Sequence, residues 1–448
     1  MSVKIAIIGA GSAIFSLNLI KDICLTPNLQ DSTICFMDID PDRLETAYLI
    51  CSRYAGEVGI KLNLEKTTNR REALKGADFV INTALAASHA RLREGWGVAG
   101  KNGYRFGGSL HIFHDEAFWV NFYQLRLMEE IVQDMMEICP EAWFVLVANP
   151  VMAGTTYLKR KYKKLKMVGM CHGYGGVFSV AKRLGLEREH ITFETPGVNH
   201  FVWLTKFYYK GQDAFPLIDK WIEEQSQEYW KTSPDSSHEG PKAIDLYKRF
   251  GVFPIGDTGN PGGGSWGYWY HSDDATEAKW KEGPAAWYNW YFEHINAHVK
   301  KMHDVARDPA LKMTEEFPGD QSDEPMIPLI EALACDVERT VIVNIPNDGE
   351  FVPGVPRDFE VEVPALVSKK GVQGIRTDGL PTTVMSYLLR DYVAQTEIEL
   401  EAYDKGDRTL LKSLIMMDPW TKSEAQAEKL LEEILALPYH EEMRKHYK

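Results

Sequence analysis

Val3-Lys4-Ile5-Ala6-Ile7-Ile8-Gly9-Ala10-Gly11-Ser12 is an apolar run that ends in a glycine-rich turn. Apolar nearly throughout, residues 3–8 read as a parallel strand buried on both faces, and an apolar-periodic helix follows to about Cys24. Gly9 permits the tight turn, and Gly11 lets the backbone approach a pyrophosphate. From Ser12 onward the free N–H groups of the helix start face the anion. The third glycine of the usual fingerprint is absent, because residue 14 is Ile. A second strand, Thr33 to Met37, ends at Asp38. A carboxylate there suits a ribose 2′-hydroxyl and repels a 2′-phosphate, so NAD is expected rather than NADP. Asp40 is the neighbouring alternative, and Asn82 is counted with the cofactor-binding residues.

The alternation continues with a helix over 41–57, a strand near 61–67, a short helix over 70–75, a strand over 78–83, a helix over 116–138 and a strand over 143–148. Such a pattern predicts an α/β fold with a doubly wound, Rossmann-type sheet. The last of these strands runs into Asn149-Pro150. Strand carboxyl ends face the ligand crevice, so Asn149 is placed to touch substrate or nicotinamide, a plain Asn-Pro turn being the alternative. Beyond 380 the periodicity is helical over 381–403, 407–416 and 422–436. No Pro/Gly/Ser-rich linker separates the halves. A boundary near 197 gives a dinucleotide-binding domain over 1–196 and an α+β domain over 197–448 for substrate, metal and oligomer contacts.

With 448 residues, 44% of them hydrophobic and 25% charged, the chain can bury a sizeable core. A formal charge of −14 without a basic patch argues against nucleic acid or an anionic membrane as partner. Six cysteines without a CxxC pair are expected to be reduced. No cleavable leader and no apolar run of the ~20 residues that span a bilayer are visible, so a cytoplasmic location is expected.

Cys171, in Cys171-His172-Gly173, follows a short apolar strand over 167–170; His200, in Val198-Asn199-His200, follows a strand-like run. Two ligands do not close a structural zinc site, which needs four, but they suit an open site completed by substrate hydroxyls and water. A rival pair, His294 and His298, stands at i, i+4 on an expected helix. It lacks the glutamate of a zinc-protease motif, since residue 295 is Ile, and reads as a helix face without a role.

Together, Gly9-Ala10-Gly11-Ser12, Asp38-Ile39-Asp40, Ala148-Asn149-Pro150, Cys171-His172-Gly173 and Val198-Asn199-His200 resemble glycoside hydrolase family 4. Val343-Asn344-Ile345-Pro346-Asn347 and Val361-Glu362-Val363-Pro364 match that family's C-terminal hallmark. The resemblance implies a fold similar to lactate and malate dehydrogenases, and a glycosidase that uses NAD and a divalent metal, usually Mn2+. It also implies a redox-elimination route. The sugar is oxidised at C3, which acidifies the C2 proton, and a Lewis-acid metal stabilises the resulting enediolate. The aglycone then leaves C1, water adds, and the hydride returns. The family is an exception to the two-carboxylate scheme of glycosidases.

Carried over residue by residue, the resemblance assigns Cys171 and His200 to the metal. His172 takes the position of the general acid, where some relatives have Asp. An unperturbed imidazole, with a pKa of ~6.5, can serve there. The base in the family is a tyrosine, for which Tyr268 is the first choice and Tyr270 the second, within Gly262-Gly263-Gly264-Ser265-Trp266-Gly267-Tyr268-Trp269-Tyr270-His271. His111 aligns with a residue that raises the tyrosine's basicity. Asn149, Arg93 and Arg91 are assigned to substrate. A homodimer or homotetramer is implied. Thiolate is soft and does not by itself favour Mn2+, so oxygen donors are needed in the rest of the shell.

The Cys-His-Gly form resembles members acting on α-uronides, α-galacturonides slightly ahead of α-glucuronides. For the carboxylate, Arg91, Arg93 and Arg105 are the available arginines. An NAD-dependent 2-hydroxy acid dehydrogenase and a non-catalytic NAD-sensing protein are the rival readings. The first would need no metal; the second would turn nothing over.

Overall fold

The computed structural model describes residues 2–233, 238–260, 266–319, 322 and 324–448. Its organising element is a sheet whose first six strands are β1 (Lys4–Ile8), β2 (Thr33–Met37), β3 (Asn63–Thr67), β4 (Phe79–Asn82), β5 (Trp143–Leu146) and β6 (Met167–Gly169). They pair in parallel in the order β3-β2-β1-β4-β5-β6, the dinucleotide-binding order, with Ile5 opposite both Ile34 and Phe79. Along β1, Ile5 and Ile7 enter one core while Ala6 and Ile8 enter the other, so both faces are covered and the run has no polar face.

After β6 come β7 (Ile191–Glu194), β8 (Gly197–Val198), β9 (Phe201–Leu204), β10 (Lys206–Tyr209), β11 (Gln212–Asp213) and β12 (Phe253–Ile255). Next are β13 (Arg339–Pro346), β14 (Glu360–Ser368) and β15 (Gly371–Gly374). β13 pairs antiparallel with β6, and the sheet runs on through β14, β8, β9 and β12, while β15 flanks β14. Position 197 therefore lies inside a shared sheet: Gly197 pairs with Glu362, and Asn344 pairs with Gly169. β7, β10 and β11 form a small separate sheet. This mixed architecture matches the expected doubly wound sheet with a second α+β part.

The expected elements of the first half fall within a few residues of those observed, as the helix Pro41–Glu57 illustrates. Asp40 caps that helix, accepting N–H groups from Asp42 and Arg43, and Pro41 occupies its first turn. The expected helix over 381–403 is interrupted: helical turns over Thr382–Leu388 and Ala394–Lys405 flank a π-helical turn, Leu389–Val393. Among the described residues no helix is long and apolar enough to cross a membrane, and all six cysteines are free.

Candidate active site

The carboxyl ends of β1, β4, β5 and β6 open onto two adjoining cavities of about 230 and about 610 Å³. Phe15, Asp115, Val147, Asn149 and Tyr291 wall both, making one continuous crevice. Ser12 and Thr83 line the smaller part, and Cys171, His172 and His200 the larger.

On the smaller side the glycine loop is built by close approach. Gly9 has φ +89°, and a Cβ there would lie 2.5 Å from the backbone of Ala84. Gly11 donates its N–H to Asp38 Oδ2 at 2.7 Å, where a Cβ on Gly11 would fall 2.5 Å from the same oxygen. Asp38 Oδ1 accepts the Asp40 N–H at 2.9 Å. Each oxygen retains a lone pair for a hydroxyl, so the loop and Asp38 fit a dinucleotide. Two further expected cofactor residues bond the backbone next to the loop. Asp40 spends its carboxylate on the helix cap, and Asn82 is fully buried with Oδ1 accepting the Ala84 N–H at 3.1 Å. Both shape the backbone beside the loop, and the Asn82 amide nitrogen is buried without a hydrogen-bond partner.

On the larger side Cys171 follows β6, and His200 occupies the turn between β8 and β9 with φ +64°, a left-handed conformation uncommon for a residue with a side chain. His200 Nδ1 lies 2.7 Å from Glu116 Oε1, and Nε2 lies 3.4 Å from Asp257 Oδ2. The Cys171 thiol lies beside His200 and accepts the Gly173 N–H at 3.4 Å. Burial opposes charge on His200, but the carboxylates of Asp257 and Glu116 outweigh it and raise its pKa well above the usual value. Donor atoms of His114, Asp115, Glu116 and His200 all lie within 4.8 Å of one another. Imidazoles and carboxylates thus converge, with the Cys171 thiol beside His200. The carboxylates are the hard oxygen donors that a thiolate–imidazole pair lacks for Mn2+, so the residues fit a divalent cation.

The turn carrying His200 is clamped from behind. Asn199 donates its backbone N–H to Glu360 Oε2 and its amide to Glu362 Oε2, each at 3.2 Å. With its amide turned to satisfy both of its ends, Asn344 donates to Glu362 Oε2 at 3.2 Å and to Glu360 Oε1 at 2.7 Å. Burial pushes the Glu362 carboxyl up to about 7 and Glu360 well above its usual value. The C-terminal sequence hallmark around Asn344 and Glu362 is therefore a support for the histidine.

Of the other expected residues, Asn149 lines both parts of the crevice and donates to Asp115 Oδ2 at 3.0 Å. His172 is exposed on the crevice wall, its Nδ1 4.0 Å from Glu324 Oε1. The remaining ones stand elsewhere. Tyr270 is fully buried, donating to Asp245 Oδ2 at 2.6 Å and packing on Trp280; burial and that carboxylate both raise its pKa. Tyr268 is 40% exposed, its ring edge-on to Trp420. The Gly262–Ser265 part of their motif lies outside the described residues. His111 is fully buried against Glu399 at 3.2 Å, behind the wall residue Asn121 that donates to the same carboxylate. Arg91 lies over Tyr439, Arg93 donates to Asn289 at 3.1 Å, and Arg105 pairs with Asp274 at 3.0 Å. None of the three lines either cavity. His294 and His298 sit together on the helix Pro284–Arg307, with ring centroids 4.1 Å apart, and line neither cavity.

The crevice instead receives Asp115, Asp257, Tyr288, Tyr291 and Arg188, none of them anticipated. One signal was available: three consecutive ionisable residues, His114-Asp115-Glu116, immediately precede the apolar helix Phe118–Ile138. Asp115 is half-buried, and although desolvation raises a carboxyl, His114 at 2.6 Å holds it below the usual carboxylate range.

Comparison with known proteins identifies the family. The model of the family 4 glycosyl hydrolases matches residues 4–186, and that of their C-terminal domain residues 195–421. An alpha-galacturonidase of Thermoanaerobacter italicus is 29% identical over 96% of this chain and 95% of its own. An alpha-glucosidase of Erwinia rhapontici is 26% identical over 93% and 94%. A 6-phospho-alpha-glucosidase from gut microorganisms, solved with NAD and Mn2+, has the same fold with a TM-score of 0.80, at 19% identity over 97% and 98% of the two chains. Malate dehydrogenase from Plasmodium falciparum shares it more distantly, with a TM-score of 0.52 at 14% identity over 90% and 98%. The chain belongs to family 4 of the glycosyl hydrolases.

Proposed function

We propose that this glycosidase hydrolyses α-uronides, α-galacturonides before α-glucuronides, with NAD and Mn2+ by oxidation and elimination. The observation that carries the reading is that Ser12, at the end of the glycine loop, and the Cys171, His200 and Asp257 donors line one crevice. The named activity of the Thermoanaerobacter italicus relative favours the uronide.

Bound there, NAD and the cation would supply a reversible hydride acceptor and a Lewis acid for a vicinal diol. Gly9, Gly11, Ser12 and Asp38 would hold the dinucleotide; Cys171, His200 and Asp257 would hold the metal. Asn149 gives its N–H to Asp115, which leaves its amide oxygen to accept a sugar hydroxyl. His172, on the crevice wall beside the Glu324 carboxylate, would protonate the departing oxygen at C1. The C2 proton would pass to Tyr288 or Tyr291, the phenols that line the crevice. Burial raises both, Tyr291 to about 12, so either needs a nearby cation to ionise at neutral pH. A thiol among the donors predicts inactivation by oxidants that thiols reverse.

Hydrolysis of p-nitrophenyl α-D-galacturonide and α-D-glucuronide, with NAD, Mn2+ and thiol omitted in turn, tests the reading. Release that needs all three, without net NADH, is expected. NADH accumulating from free hydroxy acids, with neither glycoside cleaved, would move the chain to the dehydrogenases.

A further inference from the structure

The smaller cavity is lined by Ser12, at the helix start that faces a pyrophosphate, and by Asp115 and Asn149, which it shares with the part that holds Cys171 and His200. A dinucleotide with its pyrophosphate at Ser12 and its hydride-exchanging ring toward the sugar puts its nicotinamide in this cavity. Three side-chain amides line it: Asn121, Gln124 and Asn149. Gln124 spends both ends on the backbone, donating to the Ala84 carbonyl at 2.7 Å and accepting the Ala86 N–H at 2.8 Å. Asn149 gives its N–H to Asp115. Asn121, in the first turn of the helix Phe118–Ile138, turns its nitrogen away from the cavity. Its Nδ2 lies 3.1 and 3.2 Å from the two carboxylate oxygens of Glu399, on the helix Ala394–Lys405. Behind them His111 Nδ1 stands 3.2 Å from Glu399 Oε2, and all three side chains are buried. A carboxylate only accepts, so Glu399 selects the NH2 end of Asn121 and leaves the amide oxygen for the cavity that Asn121 lines.

We infer that Asn121 anchors the nicotinamide of NAD, its amide oxygen accepting an N–H of the carboxamide, and that Glu399 and His111 hold it in that orientation. The contact fixes the rotation of the ring and so the position from which hydride passes to and from the sugar. Glu399 and His111 act through Asn121 and are positioning residues. The inference rests on the NAD reading and assigns recognition of the carboxamide to one side chain.

The test is direct titration of wild type, Asn121→Leu, Glu399→Gln and Glu399→Ala with NAD and with its 3-acetylpyridine analogue, in which a methyl group replaces the amide NH2 and the carbonyl stays. Thermal melting and Mn2+ titration verify that each variant is folded. Wild type should bind NAD about 10-fold more tightly than the analogue, and Asn121→Leu should bind the two alike, through loss of NAD affinity alone. Glu399→Gln keeps an acceptor for Asn121 Nδ2 and should keep most of the preference. Glu399→Ala lets the amide turn and should lose much of it. No preference in wild type, the same preference in Asn121→Leu, or an equal loss of both dinucleotides in that variant would overturn the anchor and leave the NAD reading standing. An unchanged preference in Glu399→Ala would overturn the positioning role of Glu399. A wild type that binds neither dinucleotide would overturn the NAD reading itself.

Discussion

The two sides of the crevice are made differently. The nucleotide side comes from a short stretch, the Gly9–Ser12 loop and Asp38, which β1 and β2 bring together as adjacent strands. The donor side is gathered from 114–116, 149, 171–172, 200, 257 and 288–291, carried on separate helices, turns and strands. A site made by one turn is written in local spacing, whereas a site made by many is fixed only when the sheet closes.

The most severe way to break this contrast is to remove the donors. Cys171→Ala or His200→Ala should cost at least about 10³-fold in glycosidase activity while NAD affinity, measured by titration, stays near wild type. If NAD binding collapsed as well, the two sides would not be separable. Next comes the choice of tyrosine. Tyr288→Phe should lower kcat about 100-fold and Tyr268→Phe less than about 3-fold, because only the former lines the crevice; the reverse order would return the base to the Tyr268 segment. Glu116→Gln should weaken metal affinity about 10-fold, read by Mn2+ titration, since Glu116 orients Nδ1 of His200 from behind. The smallest effect concerns Asp418, which accepts the N–H groups of Ser109 and Trp420 and thereby ties the C-terminal helices to the segment leading into His114. Burial pushes its carboxyl up to about 7. The folded state thus takes up a proton that the unfolded chain, titrating near ~4, releases, so stability falls as pH rises from about 4 to about 7. Asp418→Asn should flatten that slope by a few degrees of Tm between pH 5 and pH 7.5.

The legible parts follow the same division. Residues 3–8, 33–37 and 143–146 declare themselves because strands buried on both faces are apolar nearly throughout, and the helix at 41–57 is announced by its own cap and proline. Cys171 and His200 stood out as a thiol and an imidazole after strand-like runs, and the motif resemblance strengthened the pair; nothing in their 29-residue separation brings them together until β6, β13, β14 and β8 align side by side. Tyr270 was misdirected for a related reason. An aromatic-rich stretch does not say which ring faces solvent, which faces Trp280 and which faces a sugar. Arg91 and Arg93 were similarly open, since an arginine near a glycine loop is equally able to stack on Tyr439 or to reach Asn289. Asp257 and Arg188 carry no motif at all and become readable only as walls of a shared cavity.

The decisive measurement is the hydrogen at C2. Hydrolysis of p-nitrophenyl α-D-galacturonide in D2O, followed by NMR of the released sugar, should show deuterium at C2 in product formed only when NAD and Mn2+ are both present. Product without deuterium at C2, formed at an undiminished rate with NAD removed, would contradict oxidation and elimination and with it the joint use of the two sides of the crevice.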